Sequence, residues 1–211
     1  DIYKLANAGL AIEKLNQLKT LEPSNTAIDK KLAEIYYLKN DFSKAADAYS
    51  RFAMGPKANE EDLVRYAFAL FLNHDFAKSL EVANMGLKKN PRHAAFNRLA
   101  MYNNTDLKRF EEALKAADVF FNECDKADYS YLDYMYYGHL LEELKKYDEA
   151  VGQYEKAVEL DPTKTDLYKN ISSVYEQKND YKKAIGAYHK YYSSLEKEKQ
   201  TPDLQFQLGR L

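Results

Sequence analysis

Tryptophan is absent from this chain, and cysteine, glycine and proline are scarce, with 1 Cys, 7 Gly and 5 Pro in 211 residues. The single cysteine, Cys124, excludes an intrachain disulfide, and we expect it to act as a small apolar filler. The glycines are isolated from one another, which excludes a glycine-rich phosphate loop. So few helix breakers leave long stretches in which helices can form.

Long hydrophobic runs and blocks of one charge are also lacking. The most apolar run, residues 66–72, is much shorter than the roughly 18 residues of a membrane-spanning helix. The chain has 31 Lys and Arg against 33 Asp and Glu, a net charge of −2 with the signs interspersed, and a pI near 6.2. Proteins that bind nucleic acid usually present a basic face. We therefore expect no membrane span and no nucleic-acid partner, but a soluble protein of the cytoplasm or periplasm.

Aromatic residues are abundant, with 19 Tyr and 10 Phe, and several of them recur at a fixed interval. Each recurring aromatic residue is followed three positions later by a small one and preceded by a segment with helical apolar periodicity. The spacings between them are 34, 34, 37 and 34 residues for Phe42, Phe76, Phe110, Tyr147 and Tyr181. A period of this length indicates stacked helical hairpins.

The stretch from Tyr147 to Pro162, YDEAVGQYEKAVELDP, follows the tetratricopeptide repeat motif almost position for position, and the pattern extends over nearly the whole chain. The chain therefore resembles the tetratricopeptide repeat family. This resemblance implies an all-α fold, a right-handed α-solenoid of antiparallel helix pairs that spans residues 1–211 as one domain. We expect complete repeats at residues 26–59, 60–93, 94–130, 131–164 and 165–201, the second-helix part of a partial repeat at 1–25, and the start of a truncated repeat at 202–211.

Three local features refine this expectation. In the third repeat, the small pair of the first helix is Ala100–Met101 in one register. In the other it is Leu99–Ala100, which needs an extra residue or two within 103–106. Asn40 and Asn179 occupy hairpin turns, where tolerance of the left-handed conformation is useful. The charged link at residues 193–201 either extends the last helix or forms a mobile join.

We find no catalytic or metal-binding motif. The four histidines fall at different positions within the repeats, so we expect no metal site and no cofactor. His139 with Glu142 or Glu143 is the one combination that could support acid–base chemistry, and it lacks a third polar partner. We therefore expect the protein not to be an enzyme.

The resemblance also implies where a partner would bind, because the first helices of such repeats line a concave groove. Tyr and Phe beside Arg is the composition of a binding hot spot. The family's clamp for a carboxylate tail is absent, since Glu34 and Arg65 stand where asparagines are required. The candidate partner-binding residues on this face are Lys30, Tyr37, Arg65, Phe68, Phe71, Arg98, Tyr102, Tyr136, His139, Lys169 and Asn170.

Our leading hypothesis is a non-enzymatic scaffold that holds a peptide or protein partner in the concave groove. The alternative is a structural or assembly segment of a larger multi-repeat or envelope-associated protein, which the partial repeats at both ends favour. The sequence leaves the oligomeric state open.

Overall fold

A computed structural model describes residues 7–124, 128–202 and 209–210 of the chain. These ranges contain eleven α-helices, one 3-10 helix at Lys197–Lys199 and no β-strand. The helices are α1 (Ala8–Leu21), α2 (Thr26–Leu38), α3 (Phe42–Ala53), α4 (Glu60–Leu72), α5 (Phe76–Lys89), α6 (Ala94–Asp106), α7 (Phe110–Asn122), α8 (Tyr131–Glu143), α9 (Tyr147–Leu160), α10 (Leu167–Gln177) and α11 (Tyr181–Ser194). The predicted all-α fold of paired helices is confirmed.

The chain forms two compact units, Asp1–Ala127 and Asp128–Leu211, and each is described by itself. In unit one, α2 pairs with α3, α4 with α5, and α6 with α7. In unit two, α8 pairs with α9, and α10 with α11. We call the even-numbered helices first helices and their odd-numbered partners second helices, and the side that the first helices present is the first-helix face.

Short polar residues define where the helices begin. Asn59 and Asp62 form a capping box at the start of α4, and Ser130 and Asp133 form another at the start of α8. Three second helices follow an aspartate whose side chain accepts a bond from the backbone N–H three residues later: Asp41, Asp75 and Asp180. The helix starts are therefore encoded locally.

A residue with positive φ closes every hairpin turn. The five residues have φ between 58° and 61° and are Asn40, His74, Lys108, Lys145 and Asn179. The prediction for Asn40 and Asn179 is confirmed. The other three positions hold side chains that adopt this conformation less readily.

Small residues allow the paired helices to approach closely. The residue three positions after the start of each second helix is fully buried against its first helix, as seen for Ala45, Ser79, Ala113, Ala150 and Ala184. The equivalent residue of α1 is Ala11, which is partly exposed. Between neighbouring hairpins, Gly86 of α5 makes a closer approach than the other described glycines, since an added Cβ would lie 2.1 Å from the ring of Phe96 of α6.

The third repeat has no inserted residue. Helix α6 has 13 residues, as do α2, α4 and α8, so the alternative with an extra residue in 103–106 is wrong. Met101 occupies the small-residue position of α6 and is fully buried. The charged link does not extend the last helix through residue 201, because α11 ends at Ser194. Most of the predicted truncated repeat, residues 203–208 and 211, lies outside the described residues.

Candidate functional site

A cleft of about 440 Å³ opens on the first-helix face of unit one, between α2 and α4. Helix α4 contributes two of the predicted residues, α2 contributes a third, and the phenol of a second-helix tyrosine forms the floor. We call it the α2–α4 cleft, and its lining residues are Glu34, Tyr37, Leu38, Tyr49, Arg65 and Phe68.

Arg65 is held at the mouth of this cleft. Its Nη2 donates to Oε1 of Glu61 at 2.8 Å, and its Nη1 lies 3.6 Å from Oε1 of Glu34. It also hydrogen-bonds the phenol of Tyr49, and the bond to Glu61 is the main cause that raises the pKa of Arg65. Glu34 in turn accepts from Nζ of Lys31 at 3.2 Å. The guanidinium is therefore charge-compensated and oriented before any partner arrives.

The walls of the cleft are apolar and accessible. Tyr37 packs edge-on against Phe42, with ring centroids 5.5 Å apart and an interplanar angle of 72°. Leu38 is 60% exposed, and Phe68 is half-buried. Burial raises the pKa of Tyr37, so its phenol stays neutral. The cleft can accept an apolar side chain and offer it polar contacts at the rim.

Two predicted residues lie beneath this face instead of on it. Phe71 is 8% exposed and Tyr102 is 1% exposed, and their ring centroids are 5.5 Å apart. They fill the space between α4 and α6 that corresponds to the α2–α4 cleft. Ala83 stands there in the repeat position of Tyr49, so the site has a small floor residue and two large rings above it. Both residues are packing residues in this structure.

Lys30 and Arg98 also have intramolecular contacts. Nζ of Lys30 lies 2.6 Å from Oδ1 of Asp62 and 5.1 Å from the ring centroid of Phe52. The guanidinium of Arg98 lies 5.1 Å from the ring centroid of Phe120. These cations brace neighbouring helices and remain partly accessible.

The first-helix face of unit two has a polar network at the position that corresponds to the α2–α4 cleft. The phenol of Tyr154 donates to Oε2 of Glu142 at 2.9 Å, and Nε2 of Gln177 donates to Oε1 of the same carboxylate at 2.7 Å. The amide of Asn170 is also hydrogen-bonded to Tyr154. Asn170 is thus occupied by a structural contact.

Three further predicted residues of unit two lie on α8 and α10. His139 is exposed, with Nε2 at 3.8 Å from Oε1 of Glu143. Nζ of Lys169 pairs with Oδ1 of Asp166 at 2.9 Å and lies 4.6 Å from the ring centroid of Tyr191. Tyr136 is half-buried. His139 and Glu142 therefore do not form the acid–base pair considered above, because Glu142 accepts hydrogen bonds from Tyr154 and Gln177.

Two further features concern metals and membranes. Among the described residues, no three metal-ligating side chains converge. In the same ranges, no helix has the length and apolar character needed to cross a bilayer.

Sequence reasoning missed the tyrosines that reach the first-helix face from the second helices. Tyr49 and Tyr154 occupy the same repeat position, and each contacts the next first helix, at Arg65 and at Asn170. The sequence feature that could have identified them is the tyrosine that recurs at the same position of the second helix. At Tyr154 the small residue Gly138 leaves room for the ring, since an added Cβ there would lie 2.8 Å from it.

Comparisons with known proteins place this geometry in context. Residues 131–164 match the sequence model of the tetratricopeptide repeat. No curated protein matches the chain in sequence. The fold is similar to a tetratricopeptide repeat protein from Parabacteroides merdae ATCC 43184, with a TM-score of 0.72, 18% identity, and coverage of 97% of this chain and 80% of that chain.

Two other solved structures share the fold. The structure of MamA residues 41 to the end from Desulfovibrio magneticus RS-1 has a TM-score of 0.70 at 18% identity and covers 83% of this chain and 97% of that chain. Yeast Tom70 has a TM-score of 0.60 at 15% identity and covers 94% of this chain and 42% of that chain. The match at residues 131–164 shows one tetratricopeptide repeat in the sequence, and the chain shares the helix-pair fold of these solved repeat proteins.

Proposed function

We propose that the protein is a non-enzymatic scaffold that binds an extended segment of a partner protein on its first-helix face, with the α2–α4 cleft as the principal contact. The observation that carries this proposal is the open cleft of about 440 Å³, with apolar walls and an oriented arginine at its rim. An aromatic and arginine combination in a concave site is typical of residues that dominate binding energy.

The cleft suits a partner segment with one large apolar side chain. Tyr37, Leu38 and Phe68 would cover that side chain, and burial of its apolar surface would supply most of the affinity. Arg65 has several N–H donors and can bond a backbone carbonyl of the segment without giving up its ion pair with Glu61. Because Glu61 and Glu34 already compensate the charge of Arg65 at the rim, the partner segment does not need a charged residue there.

An affinity capture experiment with three matched baits tests this proposal. The baits are the unaltered chain, the Phe68→Glu variant and the Leu160→Glu control, in which an exposed leucine outside the cleft receives the same change. Circular dichroism first establishes that all three baits are equally helical. We expect at least one protein to be enriched on the unaltered chain and on the control, and to be lost from the Phe68→Glu bait.

A photo-crosslinking residue at position 38 then shows whether that protein lies in the cleft, with position 160 as the reference. A crosslink from position 38 alone supports the proposal. An unchanged set of partners on the Phe68→Glu bait, or equal crosslinking from both positions, refutes the cleft as the binding surface.

A further inference from the structure

A second cleft lies in unit two and is built from α9, α10 and α11. Its volume is about 260 Å³, close to the low end of the roughly 300–1,000 Å³ of ligand pockets. Aromatic and aliphatic side chains of α10 form the floor together with two small residues of α11. We call it the α10–α11 cleft, and it is lined by Glu155, Tyr168, Ile171, Tyr175, Lys183, Gly186, Ala187 and Lys190.

The cleft has an unusual charge distribution. Helix α11 has the sequence YKKAIGAYHKYYSS, which contains three lysines and no carboxylate. Nζ of Lys183 lies 5.3 Å from the ring centroid of Tyr175, and Nζ of Lys190 lies 5.4 Å from that of Tyr168. Lys183 pairs with Asp180 at 3.4 Å and also interacts electrostatically with Asp148. Within the described ranges, Lys190 forms no ion pair.

Unit one contains the equivalent cleft, which serves as an internal comparison. Its lining residues are Asn16, Lys19, Leu32, Tyr36, Lys44, Asp47 and Arg51. When the turn residues Asn40 and Asn179 are aligned, Lys44 over Tyr36, at 5.5 Å, corresponds to Lys183 over Tyr175.

The two clefts differ in how their cations are compensated. Arg51 corresponds to Lys190, but its Nε donates to the buried carboxylate of Asp29 at 2.7 Å. In unit two the position of Asp29 is taken by Tyr168. Asp47 of unit one is likewise replaced by Gly186. The α10–α11 cleft therefore lacks two carboxylates of its counterpart, but it has Val158 and Glu155 at the positions of Lys19 and Asn16. Lys190 is thus left without the carboxylate that pairs with Arg51, and space opens at Gly186.

We infer that the α10–α11 cleft binds an acidic segment of a partner polypeptide. An apolar side chain of that segment would lie over Ile171 and Tyr175, in the space left by Gly186. Acidic residues on either side of it would pair with Lys183 and Lys190, which are two helical turns apart, or about 10 Å along the axis. This surface uses none of the residues of the α2–α4 cleft.

Glu155 decides between an acidic polypeptide and a nucleic acid. It lines the cleft from α9, whereas both lysines lie on α11, and it would repel an anion bound near it. A polypeptide can place its carboxylates on the lysine side alone, whereas a nucleic-acid strand carries a phosphate at every nucleotide and needs more cations than two. The observed charges fit the polypeptide.

The test measures fluorescence anisotropy of a labelled peptide, Gly-Glu-Glu-Leu-Glu-Glu-Gly, with the full chain. The control peptides replace every Glu by Gln or the Leu by Ser. We expect the acidic peptide to bind, both control peptides to bind more weakly, and binding to weaken as salt is added. The Lys190→Glu variant should weaken binding by about ten-fold or more, because it both removes and reverses a charge.

Three further variants test whether binding is specific to this cleft. Lys182→Glu makes the same charge change on α11 at an exposed position outside the cleft, and it should have less than half the effect on the binding free energy. Gly186→Leu fills the floor without a clash of its Cβ, since no atom lies within 4 Å of that position, and it should abolish binding. Phe68→Glu should leave binding of this peptide unchanged, which separates this site from the α2–α4 cleft.

Three results would overturn the inference. The first is no binding of the acidic peptide at any concentration that can be reached. The second is an equal loss for Lys182→Glu and Lys190→Glu, which would indicate diffuse attraction to α11. The third is displacement of the peptide by single-stranded oligonucleotide at an equal concentration of anionic groups, which would indicate unselective anion binding.

Discussion

The phenol of Tyr154 donates a hydrogen bond of 2.9 Å to the carboxylate of Glu142, and so connects the interior of unit two to its first-helix face. Tyr154 is fully buried. Burial, and then the negative charge of Glu142, raise the pKa of Tyr154 above its ordinary value of 10.0. The phenol therefore stays protonated and remains a donor. Tyr49 has the same repeat position in unit one and contacts Arg65, so this tyrosine bonds to whichever polar group faces it.

Removing this hydroxyl should destabilise the fold. In Tyr154→Phe we expect a loss of about 1 kcal/mol in the free energy of unfolding, because a bond to a charged but partly exposed acceptor is removed. Urea denaturation followed by circular dichroism measures the loss. Tyr181→Phe is the control, since Tyr181 is 51% exposed. Equal losses in the two variants would show that the bond to Glu142 contributes nothing.

The same residue should make stability depend on alkaline pH. The pKa of Tyr154 is higher in the folded than in the unfolded chain, so its contribution is complete below the unfolded value of 10.0. It is lost as the pH rises beyond that value, because the unfolded chain then releases a proton that the folded chain retains. Urea midpoints measured at increasing alkaline pH should fall more steeply for the native chain than for Tyr154→Phe. Parallel curves would contradict the expectation.

Gly86 should be among the least replaceable residues. In Gly86→Ala we expect destabilisation of about 1–3 kcal/mol, since the new Cβ would overlap the buried ring of Phe96. Gly152→Ala is the matched control, because no atom lies within 4 Å of its added Cβ. That control should be stabilised by about 0.5–1 kcal/mol, since Gly disfavours a helix interior. Thermal melts compare the two, and equal melting temperatures would refute the close approach.

The buried carboxylate of Asp29 should contribute acid-sensitive stability. It is 1% exposed and bonds to Lys19 of α1 and Arg51 of α3. Burial raises the pKa of Asp29, but the hydrogen bonds from Lys19 and Arg51 more than offset this, and the pKa is lowered overall. Its contribution is therefore present above the unfolded value of 3.8 and is lost as the pH falls through the lower folded value.

Asp29→Asn should therefore cost about 1–2 kcal/mol near neutral pH, where both cations lose a charged partner but keep access to water. Melts at decreasing pH should show the native chain and the variant converging in acid. Asp166→Asn, which alters an exposed ion pair with Lys169, is the control and should change little at any pH. A constant difference down to the most acidic pH would show that Asp29 acts through packing and not through charge.

The hairpin turns offer a stabilising change. Lys145 has φ of 59°, a conformation that costs a residue with a Cβ roughly 1 kcal/mol. Lys145→Gly should raise the free energy of unfolding by about that amount. Asn40→Gly should raise it by less, because asparagine adopts this conformation readily. Chemical denaturation compares the two gains, and a larger gain at Asn40 would contradict this account of the turns.

The sequence by itself determined the helices and their pairing. An aromatic residue and a small residue at fixed spacing, an aspartate cap and a turn residue are local signals. Each acts within a few positions of the chain, so α3, α5 and α11 begin at the aromatic residues that the repeat predicts.

Only the tertiary structure decided which side chains of the first-helix face are open. Tyr37 and Phe71 have the same repeat position, yet Tyr37 borders a cleft and Phe71 is buried against Tyr102. The difference arises because each cleft is completed by residues of the next hairpin and by the second-helix residue beneath it, Tyr49 in one case and Ala83 in the other. The same holds for Arg51 and Lys190, whose compensation depends on a residue of the preceding helix, Asp29 in one case and Tyr168 in the other. Contacts between distant positions vary with every pair of repeats, and a repeating local pattern contains no information about them.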